Sequence, residues 1–148
     1  MSQITIRSPE NTPRLLTREV ITDPAIRPKL SEGDLGTFIL NYHPGGPDQP
    51  QLFEVIVEPN GELSPHGHEY DEILYVLEGE MHLGGRVLRA GSSVHIPGMT
   101  AYLIKAGPEG LRFLNFFGRG DGAYLHKNEL IRIRGSTDTV AATHLIQD

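Results

Sequence analysis

From Leu52 to Phe117 the chain alternates short apolar stretches with polar positions at a period of two, and glycine and proline separate the stretches. In QLFEVIVEP, Phe53, Val55 and Val57 fall on one side and Glu54, Ile56 and Glu58 on the other, which predicts a strand with one apolar face. Pro59-Asn60-Gly61 ends it as a tight turn. EILYVLEG is a second strand, and EMHL and RVLRA flank Gly84-Gly85, a two-residue hairpin signal because glycine accepts positive φ at both positions. SVHIP follows, then AYLIKA, a turn at GPEG, and LRFLNFFG. Turn signals recur about every 5–12 residues, the pattern of a sandwich or barrel with short connections. Phe53, Val55, Leu74, Val76, Leu88, Phe113 and Phe116 are the predicted core.

The ends carry less pattern. Ile4 to Arg7 alternates as an edge strand would, Pro9 to Pro28 holds four prolines and is expected to wrap the surface, and Asn41 to Pro50 is a loop by composition. Leu130 to Arg134 alternates Ile131 and Ile133 against Arg132 and Arg134, which predicts a last strand, and the tail from Ser136 is a short helix or disordered. The expectation is one all-β domain over residues 1–148, with short helices or none, a core of about 51–118, an N-terminal arm (1–50) and a C-terminal extension (119–148).

The chemistry lies in HGHEYDEILYVLEG. On an extended strand His66 and His68 share a face, with Gly67 between them, and Glu72 returns on the next strand after a turn through Tyr70 and Asp71. Two imidazoles and one carboxylate suit catalytic zinc or the facial triad of non-haem iron, both of which leave positions open. The alternative is a hydrogen-bonded polar cluster without a metal, in which neutral imidazoles compensate a buried carboxylate less well than a cation does.

These residues resemble the cupin family. Its first motif, Gly, about five residues, His-x-His, three or four residues, Glu, six residues, Gly, is met by Gly61, His66, His68, Glu72 and Gly79, with the first spacer one residue short. Its second, Gly, five residues, Pro-x-Gly, two residues, His, is met in part by Gly91 and Pro97. There the glycine is displaced to Gly98, and Tyr102 holds the place of the fourth metal-binding histidine. The resemblance covers about Leu52 to Phe117. It implies a cupin-type antiparallel β-barrel, or double-stranded β-helix (jelly roll), with one divalent metal ion inside: iron, zinc, manganese or nickel. It also implies a homodimer, through N-terminal segments that join a neighbour's sheet.

Within that alignment Tyr102 is the candidate catalytic residue, as a pocket-lining donor or general acid or as a weak fourth ligand. His95 is the other stand-in for the missing histidine, because periodicity leaves open whether it faces the pocket or solvent. His82 is expected beside Glu80 on the solvent side of the hairpin, and His43, His126 and His144 as exposed polar residues. Arg86, Arg89, Lys105 and Arg112 lie on strands of undecided facing, and none stands in the metal motifs to hold a phosphate. The expected substrate is therefore a small, largely apolar molecule bearing a carbonyl or hydroxyl. The function expected is a metal-dependent enzyme, of dioxygenase or lyase, isomerase or cyclase type, against a non-catalytic binding or sensing protein and a metal-free sugar epimerase.

Composition narrows the partners. Net charge is −6, with 13 Lys and Arg against 19 Asp and Glu and no basic run, which argues against nucleic acid. The longest apolar run, Ile73 to Leu77, is far short of a membrane span, and the N-terminus lacks the features of a secretory signal, so a cytoplasmic protein is expected. With no cysteine, disulfide and thiolate chemistry are excluded.

Overall fold

A computed structural model describes residues 2–134. In chain order the elements are β1 (Leu15–Leu16), α1 (Thr17–Val20), a 3-10 turn (Arg27–Lys29), α2 (Glu32–Leu35), β2 (Phe38–His43), β3 (Gln51–Val57), β4 (His66–His68), β5 (Glu72–Leu83), β6 (Arg86–Arg89), β7 (Ser93–Ile96), β8 (Ile104–Phe117), β9 (Tyr124–His126) and α3 (Lys127–Arg134). Seven strands form one antiparallel sheet in the order β1-β2-β3-β8-β5-β6, with β7 also on β5, and β4 and β9 form a second, two-stranded sheet. The chain is all-β, with short helices at its two ends.

β5 is the spine. One edge pairs with β8, while the other takes β7 along Glu72–Tyr75 and β6 along Glu80–Leu83. Its inward positions shift from Glu72, Leu74 and Val76 to Met81 and Leu83, a change of parity made by an irregularity around Gly79. Gly79 has φ 75°, and a Cβ there would collide with the Gly110 carbonyl. The expected turn at GPEG is instead a bulge in one continuous strand, because residues 107–110 are accommodated between Ala106, which pairs with Met81, and Leu111, which pairs with Gly79. The Gly84-Gly85 hairpin is present, with φ 57° and 81°.

The core gathers Val55, Val57, Leu74, Val76, Met81, Leu83, Ile104 and Phe113, with Phe53 and Leu88 packed at its margin. Phe116, expected inside, is 39% exposed: it stands opposite Ile73 and Leu52 on the outer face of the sheet. Glu54, on the face of β3 opposite Phe53, Val55 and Val57, is buried against Tyr42 and Arg112, which contribute hydrogen bonds of 2.9 Å (Tyr42 Oη) and 2.6 and 2.8 Å (guanidinium).

The ends differ most from expectation. Ile4 to Arg7 forms no strand, and Asn41–His43 belongs to β2 rather than to a loop. The proline-rich segment supplies β1, α1 and the 3-10 turn, and it buries Thr17, whose hydroxyl meets that of Thr37 at 2.7 Å. Leu130 to Arg134 is helical, not a strand. Its start is set by His126, whose Nδ1 accepts from the Asn128 amide, while Glu129 accepts from the His126 amide, a reciprocal cap of the capping-box kind. The tail from Ser136, with His144, lies outside the described residues.

Candidate functional site

β4 carries the two histidines and is held on both edges. One edge pairs with β9 in the register His66 with His126, Gly67 with Leu125 and His68 with Tyr124. The other meets the segment after Pro97, where His66 exchanges two backbone hydrogen bonds with Tyr102 and the Met99 amide donates to the His68 carbonyl. Gly67 is required by this clamp, since a Cβ would collide with the Thr100 carbonyl oxygen and crowd Leu130 of α3.

The histidines expected on one face are brought together. Their rings stand edge to face with centroids 5.1 Å apart, and His68 Nε2 lies 3.8 Å from Glu72 Oε2. Glu72 is thus returned to His68 by the bend at 69–71, as the sequence suggested. His66 Nδ1 lies 2.7 Å from the Ser64 carbonyl, which can only accept, so Nδ1 carries the proton and Nε2 keeps a lone pair. Ser64 is itself anchored, its amide and hydroxyl both donating to Asp34 Oδ2, and Asp34 belongs to a capping box with Ser31.

Burial decides the charges. It lowers the pKa of His66, and it lowers that of His68 to about 3 with the help of neighbouring His66, so both rings are neutral. It also raises Glu72 to about 7, against smaller lowering effects from Tyr102 and Asn115. Asn115 Nδ2 donates to Glu72 Oε2 at 2.9 Å. The Tyr102 hydroxyl neighbours the carboxylate without an aligned hydrogen bond, and Glu72 Oε1 has no partner. Tyr102 is itself 4% exposed, packs its ring 4.8 Å from that of His66, and has its pKa raised by burial and then by the Glu72 charge.

Among the described residues no three His, Asp or Glu side chains are gathered as a ready-made ion site. His68 and Glu72 approach as a pair, with His66 beside them. The donor chemistry nevertheless fits a divalent cation: two neutral imidazoles, one with its tautomer fixed from behind, and a buried carboxylate with a free oxygen and no positive partner.

His95 faces outward, where its Nε2 lies 2.8 Å from exposed Asp71, so it is no stand-in for a ligand. His82 lies 3.3 Å from Glu80 at the hairpin, as expected, while His43 ends β2 and His126 caps α3.

The histidines line a cavity of about 280 Å³. Ile21, Ile26 and Leu30 wall it from the N-terminal segment, and Phe53, Val55 and Phe113 from the sheet. Tyr102, Asn115 and Tyr124 add polar atoms, and no Lys or Arg is among the lining residues. A second hollow of about 310 Å³, between Arg14, Glu78, Glu109 and Arg112, holds no imidazole.

Comparison with known proteins agrees with this fold. The family model "Cupin domain" matches residues 53–117. Solved structures of the same fold include a cupin protein from Ralstonia eutropha JMP134, described as RmlC-like (16% identity, 85% of this chain and 75% of that chain, TM-score 0.62). Residues 53–117 are thus a cupin domain, and the chain has the cupin fold. Other solved structures of this fold are the polyketide cyclase RemF from Streptomyces resistomycificus (21% identity, 93% of this chain and 99% of that chain, TM-score 0.62) and an acetylacetone dioxygenase from Acinetobacter johnsonii (17%, 87% and 81%, TM-score 0.58). At these identities the likeness shows the fold. No curated protein matches the sequence significantly.

Two residues of this cupin site escaped the sequence reading. Asn115 had a signal: it is the polar residue at an inward position between Phe113 and Phe117. Tyr124 had none, being a lone aromatic after GRGDG. Its ring stacks on His66, with centroids 4.7 Å apart and planes 19° apart, and its pKa is raised to about 12, first by burial and then by Asp34.

Proposed function

We propose that this cupin is a metal-dependent enzyme that acts on a small, largely apolar molecule bearing a carbonyl or hydroxyl group, with His66, His68 and Glu72 holding one divalent ion. The observation that carries it is the free oxygen of Glu72, buried beside imidazoles that burial keeps neutral. Such a carboxylate is expensive unless it is protonated or paired with a cation, and no Lys or Arg lines the cavity to serve. When bound, the ion supplies Lewis acidity toward a carbonyl or hydroxyl oxygen and, if it is iron, access to oxygen chemistry. The protein fixes His66 through Ser64 and Asp34, surrounds the substrate space with a largely apolar wall, and carries Tyr102 as a neutral phenol beside the carboxylate, able to donate to a substrate oxygen.

Polyketides and acetylacetone, named for two of the fold neighbours, are carbonyl compounds of the class that suits this cavity. We also assign a homodimer in solution, supported by Ile73, Tyr75 and Phe116, which are 39–44% exposed on one face of the large sheet.

Elemental analysis tests the metal. The expected result is about one divalent transition metal per chain, with most of it lost in His66→Ala and in Glu72→Ala. A chain that takes up none after incubation with iron, zinc, manganese and nickel salts refutes the reading. Oxygen uptake by the iron-loaded protein, compared with anaerobic turnover, then separates oxygenase from lyase, isomerase or cyclase chemistry. A ligand that binds tightly and is recovered unchanged identifies a binding protein instead.

A further inference from the structure

Among the described residues three buried side-chain atoms lack a hydrogen-bond partner, Glu72 Oε1, Asn115 Oδ1 and Tyr124 Oη, and all three belong to residues around the two histidines. Buried polar groups in folded proteins are nearly always paired, so a cluster of exceptions beside a cavity marks where a ligand completes the set. A cation accounts for the first. The other two are neutral, complementary groups that an ion does not satisfy together.

Their roles are fixed by their neighbours. Asn115 turns its amide nitrogen to Glu72 Oε2 at 2.9 Å, which leaves its oxygen as a pure acceptor. Tyr124 lies in β9 directly opposite His68, with its ring stacked on His66, so a rotamer change would break that stack. The Ser64 hydroxyl near it donates to Asp34 and accepts from the Ser31 amide, and it forms no aligned bond with the phenol. The phenol therefore has a proton to give and no aligned protein acceptor for it.

We infer that Tyr124, carried by a strand outside the matched cupin domain, is a specificity-determining residue of this site, and that with Asn115 it selects a neutral, one-ring hydroxy-carbonyl compound. The ligand carbonyl accepts from Tyr124 and its hydroxyl donates to Asn115. The hydrocarbon part lies against Ile21, Ile26, Leu30, Phe53 and Phe113. A cavity of about 280 Å³ is at the small end for organic ligands, and with no Lys or Arg among its lining residues it offers a carboxylate or phosphate no partner. The inference rests on the barrel interior being the substrate site, but not on the metal.

Tropolone, a one-ring compound with adjacent carbonyl and hydroxyl, and tropone, which lacks the hydroxyl, are the probes. Both are titrated by calorimetry, at a mildly acidic pH that keeps tropolone neutral, into the full chain as purified and after EDTA treatment, alongside Tyr124→Phe. The parent is expected to bind tropolone several-fold more tightly than tropone, and Tyr124→Phe to weaken both by about tenfold, the scale of one neutral hydrogen bond. Because the phenol is unpartnered in the free protein, the variant is expected to melt no lower than the parent. Absence of saturable tropolone binding, equal binding by variant and parent in either form, or a lower melting temperature of the variant each overturns the inference. Failure of the chain to hold a metal leaves it standing, because the EDTA-treated arm reads the same residue without one.

Discussion

Glu72 sets the energetics of the interior. Its carboxyl is 2% exposed, and in the metal-free protein its pKa is raised from 4.5 to about 7, chiefly by burial. The folded state thus binds more protons than the unfolded state between those values. The stability this contributes is complete below about pH 4.5 and is lost as pH rises through 7. The size is at most about 3 kcal/mol. His68 works in the opposite sense: lowered from 6.5 to about 3, it makes the fold more stable as pH rises through that window. A bare stability curve mixes the two, so the test is a difference. In EDTA, the urea unfolding free energy of the parent minus that of Glu72→Gln is expected to fall between pH 4.5 and 7, and a flat difference disproves the shift. Saturating divalent metal is expected to remove most of the fall, because the ion replaces the proton. Of these residues the histidines and Glu72 were legible from spacing, because a period of two is a direct statement about shared faces. Asn115 was marked only by its inward position between Phe113 and Phe117, and Tyr124 was not legible, because a lone aromatic after GRGDG has no spacing to betray it.

The element that matters most for the site is β4, three residues long and too short to be stable alone. It is held by Tyr102 and Met99 on one edge, β9 on the other and α3 behind, where Leu130 is fully buried. Leu130→Ala is expected to cost about 2–5 kcal/mol and to weaken metal binding as well, since the strand that carries both imidazoles loses its backing. An unchanged metal affinity in the folded variant would show that α3 only stabilises. Met99 completes the clamp at a cost. It has φ 62°, in the left-handed region, at the position where the family pattern places glycine. Met99→Gly is expected to raise the unfolding free energy in urea by up to about 1 kcal/mol, relief of strain being partly offset by the freedom glycine adds to the unfolded chain. A loss of stability would mean that the Met99 side chain packs for more than the strain it imposes. The elements most legible in the sequence were β3, β5 and the β5–β6 hairpin, where alternation and paired glycines agree. α3 was misread because four alternating residues fit a helix face as well as a strand, and because its cap is His126 rather than serine or threonine. The GPEG bulge was misread as a turn because glycine and proline mark both.

At the scale of the whole molecule, the cupin domain of residues 53–117 carries His66, His68 and Glu72 but does not close its own cavity. Ile21, Ile26 and Leu30 come from before it and Tyr124 from after it, and Lys29 joins Glu129 at 2.6 Å to tie these two flanks together. That closure was invisible in the sequence, since three scattered apolar residues among prolines form no period. The same large sheet that encloses the cavity on its inner side leaves an apolar outer side: Phe116 stands between Leu52 and Ile73, and Tyr75 stands opposite Leu114. Large exposed apolar groups clustered across neighbouring strands favour burial against a matching surface, and a second copy supplies one by two-fold symmetry. The 16.3 kDa chain is therefore expected to sediment as a dimer at micromolar concentration. Replacing Ile73 and Phe116 with lysine places four like charges in that interface and should give a monomer, while tropolone binding, which uses the opposite side of the sheet, persists. A parent chain that sediments at its own mass at this concentration removes the dimer, and a double variant that remains dimeric moves the contact to another face.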